Sequence, residues 1–105
     1  MKVAKKRALQ RHGWKIGNAR DFLGLSDEEA TLLELKLMMA QGLKRRRTSS
    51  HLSQLALARM LRSSQSRVAK MEAGDRSVSI DLLLKALLRL GATKRDLASM
   101  IVRAA

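Results

Sequence analysis

Five side chains within one short stretch, Gln65, Ser66, Arg67, Ala69 and Lys70, have types suited to reading the edges of base pairs. A Gln amide can pair with adenine, Arg or Lys can donate to guanine, Ser serves several partners, and an Ala methyl can touch thymine, all in the major groove. At helical spacing Val68 and Met71 point one way and leave Gln65, Ser66, Ala69 and Lys70 on the other side, with Arg67 at the flank. The chemistry implied is hydrogen-bonded recognition of duplex DNA. A solvated helix face has much the same composition, so the surrounding elements must decide.

The stretch that would position these side chains runs from Leu52 to Gly74, LSQLALARMLRSSQSRVAKMEAG. If Gln54 opens a helix, Leu57 and Leu61 lie one turn apart on its buried face, with Ala58 beside them where a second helix can cross closely. Arg62, Ser63 and Ser64 break that spacing. Ser64 can cap a second helix by accepting from a first-turn N–H, and Gly74 closes it.

This segment resembles the helix-turn-helix of the Cro/CI-like, or XRE-type, regulators of bacteria and phages. The resemblance is carried by Leu52-Ser53-Gln54, Leu57-Ala58, Ser64-Gln65-Ser66, Val68 and Glu72-Ala73-Gly74. It implies that Gln54 sits near a phosphate and supports Gln65, while Gln65, Ser66, Arg67 and Lys70 face the groove. Two positions depart from the pattern. Arg62 stands where the family usually has a turn Gly, and Ser63 where it usually has a buried Ile or Val. A positive φ at Arg62 costs roughly 1 kcal/mol relative to Gly, whereas a right-handed turn tolerates Arg and lets its side chain reach a phosphate.

The chain's 105 residues suffice for one domain with a modest core, and with Trp14 and Phe22 the only aromatics, aliphatic helices must supply it. There is no Pro, and no window alternates convincingly with period two, so the expectation is all-α. With no Cys, disulfides and thiolate metal sites are excluded, and His12 and His51 stand apart from each other and from suitably spaced ligands, so no metal or cofactor is expected. His51 beside a helix start is compatible with a phosphate contact or with a plain exposed loop. No nucleophile, acid and base stand at an interpretable spacing, which argues against an enzyme.

The net charge of +13 makes a polyanion the simplest partner. Residues 1–26 hold 7 basic side chains against 1 acidic one, so the excess gathers at the start of the chain. Residues 1–22 read as a basic arm ahead of a domain spanning 23–105; helix over Val3–Arg11 and disorder are equally compatible with its composition. Such an arm would lie along phosphates or enter the minor groove through Lys5, Lys6 and Arg7; a solvated tail is the alternative. Trp14 and Phe22 are expected to pack rather than stack on bases, with Phe22 and Leu25 in the core. The basic start lacks a signal peptide's apolar run and no segment is long enough to cross a membrane, which points to the cytoplasm.

Ser26-Asp27-Glu28-Glu29 is a capping box opening a long helix, with Leu32, Leu35, Met39 and Leu43 on a stripe widened by Leu33, Leu37 and Ala40, and Glu34, Gln41 and Arg45 opposite. Lys44-Arg45-Arg46-Arg47 at its end suits the negative helix terminus. Beyond Gly74, Ser79 caps a helix so widely apolar, from Ile80 to Leu90, that it needs neighbours on two sides. Thr93 to Asp96 opens a last helix with Leu97, Met100, Ile101 and Ala104 on one stripe, fit either to close the core or to form a seam between two copies. A homodimer would read two half-sites about one DNA turn apart.

From about Gly13 to Ile101 this order also resembles the branch of XRE-type proteins that includes HigA-like antitoxins. It implies a five-helix, Cro/CI repressor-like domain and a sequence-specific double-stranded DNA-binding repressor, often encoded beside a toxin. The chain's positive charge is poorly matched to a basic toxin, which favours a stand-alone or phage-type regulator. A structural RNA-binding protein would equally carry +13, without a preferred duplex sequence.

Overall fold

A computed structural model describes residues 24–104. The expected arm with Lys5, Lys6 and Arg7, and the packing expected of Trp14 and Phe22, lie outside the described residues. The described chain is all-α, with five helices and no strand: α1 (Asp27–Ser49), α2 (Gln54–Met60), α3 (Gln65–Ala73), α4 (Ile80–Arg89) and α5 (Lys94–Ala104). No helix among these residues is long and apolar enough to cross a membrane.

The chain divides into two units, residues 1–34 and 35–105. In the described part of the first, the capping box forms as its residue types require: Ser26 N–H donates to Glu29 Oε1 at 2.9 Å and Glu29 N–H to Ser26 Oγ at 3.1 Å. The Ser26 backbone N–H, then its hydroxyl, hold the Glu29 carboxyl below its ordinary range. Three expectations fail here. Leu25 is only half-buried, and Leu32, assigned to the inward stripe, is 54% exposed. Periodicity identifies a stripe but not how far along it a packing partner extends. Glu34, expected on the outer face, is half-buried.

The second unit contains the aliphatic core. Met39, Ala40 and Leu43 of α1 meet Leu57 and Ala58 of α2, Val68 and Met71 of α3, Leu83, Ala86 and Leu87 of α4, and the loop residues Val78 and Ala92. Taken over the whole residue, no polar or charged residue described is buried. Leu61, Leu82, Leu84, Leu90, Leu97 and Met100 pack on this core from its edges, which covers α4 around most of its circumference and leaves Leu88 51% exposed. On α5, Leu97 and Met100 face inward as expected, but Ile101 is 46% exposed. Gly42 lets α5 approach α1: a Cβ there would stand 2.7 Å from Met100 Sδ.

Side chains start the helices and left-handed residues end them. Ser53, Ser64 and Ser79 accept from the N–H groups of Ala56, Arg67 and Leu82, and Thr93 and Asp96 form a reciprocal box. The chain then leaves α1, α2, α3 and α4 by one repeated device, in which the N–H of the residue that follows a left-handed one bonds a carbonyl five residues back. The pairs are Leu52 to Arg47, Ser63 to Ala58, Asp75 to Lys70 and Ala92 to Leu87. The left-handed residue is Gly at 74 and 91 but His at 51 and Arg at 62.

Candidate nucleic-acid interface

The turn between α2 and α3 fixes the angle at which the predicted reading face is presented. Arg62 adopts φ 54°, so the left-handed alternative is the one realised, with its cost. The turn is held by Ser63 N–H donating to Ala58 O at 2.8 Å and Arg62 N–H to Arg59 O at 3.2 Å. Ser63 is half-buried, so the position where an Ile or Val is usual still faces partly inward. Ser64 then leaves the turn in an extended conformation and accepts from Arg67 N–H at 3.2 Å, and its hydroxyl lies 3.3 Å from that of Ser66.

α3 divides as its spacing demands. Val68 and Met71 are 0% and 1% exposed, whereas Gln65, Ser66, Arg67, Ala69 and Lys70 are all exposed. The five predicted readers are thus brought together on one solvent-facing surface, anchored from behind by the core. The one acid of α3, Glu72, turns away from that face toward Arg47, while Lys70 stands near enough to Asp75 to help hold its carboxyl below the ordinary range.

Glu72 is where sequence reasoning fell short. Arg47, at the end of α1, grips it through two nitrogens: Nε to Oε2 at 2.5 Å and Nη2 to Oε1 at 3.0 Å, with the two side chains 11% and 4% exposed. Arg47 Nη1 also donates to Leu52 O at 2.7 Å, inside the loop into α2. Hydrogen bonding to Glu72 raises the Arg47 pKa above its ordinary value, so the guanidinium is permanently charged. Placed only by the helix dipole, Arg47 would be interchangeable with its basic neighbours; instead it ties α1, the loop and α3 together. One signal was present: Glu72 follows the inward-facing Met71, and an acid at that flank requires a cation.

Gln54 joins the same cluster. It is half-buried, and its Nε2 donates to Glu72 Oε1 at 3.1 Å. The support that the resemblance assigned from Gln54 to Gln65 is therefore not the contact observed; Gln54 is held by the acid at the far end of α3. Arg46, next to Arg47, pairs with Asp96 Oδ2 at 2.8 Å and joins α1 to the start of α5. His51 is exposed and serves as the left-handed exit of α1. Among the described residues no group of three or more His, Asp or Glu side chains is placed to hold a metal ion.

Comparison with known families agrees with this geometry. A family model described as helix-turn-helix matches residues 43–100, more than half of the chain, from the last turns of α1 into α5. No curated protein and no solved structure matches the chain.

Proposed function

The chain belongs to the XRE-type helix-turn-helix family of DNA-binding regulators, and from that premise we propose that it is a sequence-specific repressor that places α3 in the major groove of double-stranded DNA. The carrying observation is the exposed set Gln65, Ser66, Arg67, Ala69 and Lys70 on a helix whose opposite face is sealed into the core. In this reading Gln65, Arg67 and Lys70 donate to base edges, Ser66 and Ala69 complete the surface, and Gln54 at the start of α2 faces the phosphates. Lys5, Lys6 and Arg7 follow the backbone or the minor groove and supply affinity common to all sequences.

Two copies bind together, each reading one half-site. Exposed Leu88 on α4 and Ile101 and Val102 on α5, 51%, 46% and 72% exposed, supply apolar surface that pairing would cover. The working compartment is the cytoplasm. A toxin protein on that same surface, making this chain an autoregulating antitoxin, is the alternative partner.

The test is selection of bound fragments from randomised duplex DNA with RNA as competitor. Enrichment of a palindrome is the expected result. Enrichment of no duplex, or preference for the RNA, would replace this reading with the RNA-binding one.

A further inference from the structure

A cleft of about 280 Å³ lies between the α2–α3 turn and α4. Its floor is apolar, made by Leu61, Met71, Leu82 and Ala86. Its rim carries Arg62 from the turn, Arg67 from α3, and Lys85 and Arg89 from successive turns of α4, and no acid lines it. Among the described residues none of these four cations takes part in a hydrogen bond or ion pair through its side chain. Arg46 and Arg47, by contrast, are paired with Asp96 and Glu72. Four unpaired like charges around a concavity repel one another and raise the local positive potential, which an anion would relieve.

The geometry points to a binding site for a small organic anion, a phosphate or carboxylate carried on a compact apolar body. The body rests on Leu61 and Leu82, and the head lies among the four cations. The volume is close to the lower end of small-molecule sites, about 300 Å³. An apolar floor contributes nothing to holding an inorganic ion, and a phosphate diester of a duplex has no apolar body to lay on it. The site has a consequence that rests on the DNA-binding reading: Arg67 is shared between the cleft and the groove-facing surface, so the bound anion competes with DNA.

The experiment is a titration of the full chain followed by backbone amide resonances. The probes are hexyl phosphate, hexanoate, inorganic phosphate and hexyltrimethylammonium. Hexyl phosphate should give saturable shifts at Ser63, Leu82 and Ala86, with hexanoate at the same residues. Inorganic phosphate should bind about tenfold more weakly or worse, and the ammonium should not bind. The double variant Lys85→Gln/Arg89→Gln should lose about tenfold or more in hexyl phosphate affinity while keeping its thermal midpoint. Equal affinity for inorganic phosphate, an unaffected double variant, or shifts spread evenly over all basic residues would each overturn the site. At saturation, hexyl phosphate should release a selected duplex from the wild type and not from the double variant. The titration contains no DNA, so it decides the cleft even where selection finds no preferred duplex and the DNA-binding reading fails.

Discussion

Arg47 and Glu72, 25 positions apart, meet as a two-point ion pair with side chains only 11% and 4% exposed, and so join the end of α1 to the last turn of α3. Pairs of this kind add less to stability than their Coulomb attraction implies, because both ions must be stripped of water; breaking one is what costs most. Glu72→Ala strands the guanidinium and removes the acceptor of Gln54, and should destabilise the chain by about 3 kcal/mol. Arg47→Met with Glu72→Leu should lose far less than the two single variants added together. Denaturant midpoints decide this. Additive losses would mean that the two side chains act independently.

The left-handed turn residues offer a paired test of backbone strain. Arg62 sits at φ 54° where Gly is unstrained, so Arg62→Gly should stabilise the chain by about 1 kcal/mol. Gly74 sits at φ 67°, and a Cβ there would also meet Leu37 Cδ2 at 2.9 Å, so Gly74→Ala should cost about 1 to 2 kcal/mol. Thermal unfolding of both variants reads the signs directly. A destabilised Arg62→Gly would show that contacts of the arginine side chain outweigh the strain of its backbone.

What local chemistry decides was legible in the chain. Ser26, Ser64, Ser79 and Thr93 are caps because a hydroxyl at a helix start finds unsatisfied N–H groups within its own next turn. Val68 and Met71 point inward because three residues span nearly a full turn. Contacts between distant segments were not legible. Nothing in Lys44-Arg45-Arg46-Arg47 reveals that Arg46 meets Asp96 and Arg47 meets Glu72, because the helix dipole gives any cation there a reason to be present. The hand of Arg62 was left open by propensity alone; the bond from Ser63 N–H to Ala58 O, the same local helix-end bond made by Leu52, Asp75 and Ala92, accompanies the left-handed form. Leu32 looked buried because its stripe is regular, yet regularity does not extend the surface that covers it.

Asp96 should make the chain sensitive to acid. Its carboxylate accepts from Thr93 N–H at 2.7 Å and from Arg46 at 2.8 Å. The Thr93 backbone, then its hydroxyl and Arg46, hold the carboxyl below its ordinary range. A folded value lower than the unfolded one contributes stability above the unfolded value, about 3.9, and that contribution is lost as pH falls through the folded value. Asp96→Asn should therefore be less stable than the wild type at neutral pH and lose less stability between about pH 4 and pH 2.5. The acid sensitivity is reduced rather than abolished, since Glu29 and Asp75 are depressed by Ser26 and Ser77 in the same way. Denaturant midpoints at those pH values and at pH near 7 provide the test; parallel profiles for the two proteins would remove Asp96 as a source of the effect.

Recognition and scaffolding on α3 should separate by substitution. Gln65 is exposed, and Arg67 is exposed at the rim of the cleft beside α4, so Gln65→Ala should leave the thermal midpoint unchanged, Arg67→Ala should change it little, and either should cost roughly 1 to 3 kcal/mol at one base pair of a selected site. Ser64 accepts the N–H of Arg67 as the helix cap; Ser64→Ala should cost about 1 kcal/mol of stability and leave the preference among bases as it was. Removing residues 1–11, with Lys5, Lys6 and Arg7, should weaken binding to every duplex alike and flatten its dependence on salt, because each phosphate contact given up is a counterion no longer released. Binding measured on selected and scrambled duplexes at several salt concentrations separates the three effects. If Gln65→Ala and Arg67→Ala weaken both duplexes equally, α3 contacts the backbone and the base preference arises elsewhere in the chain.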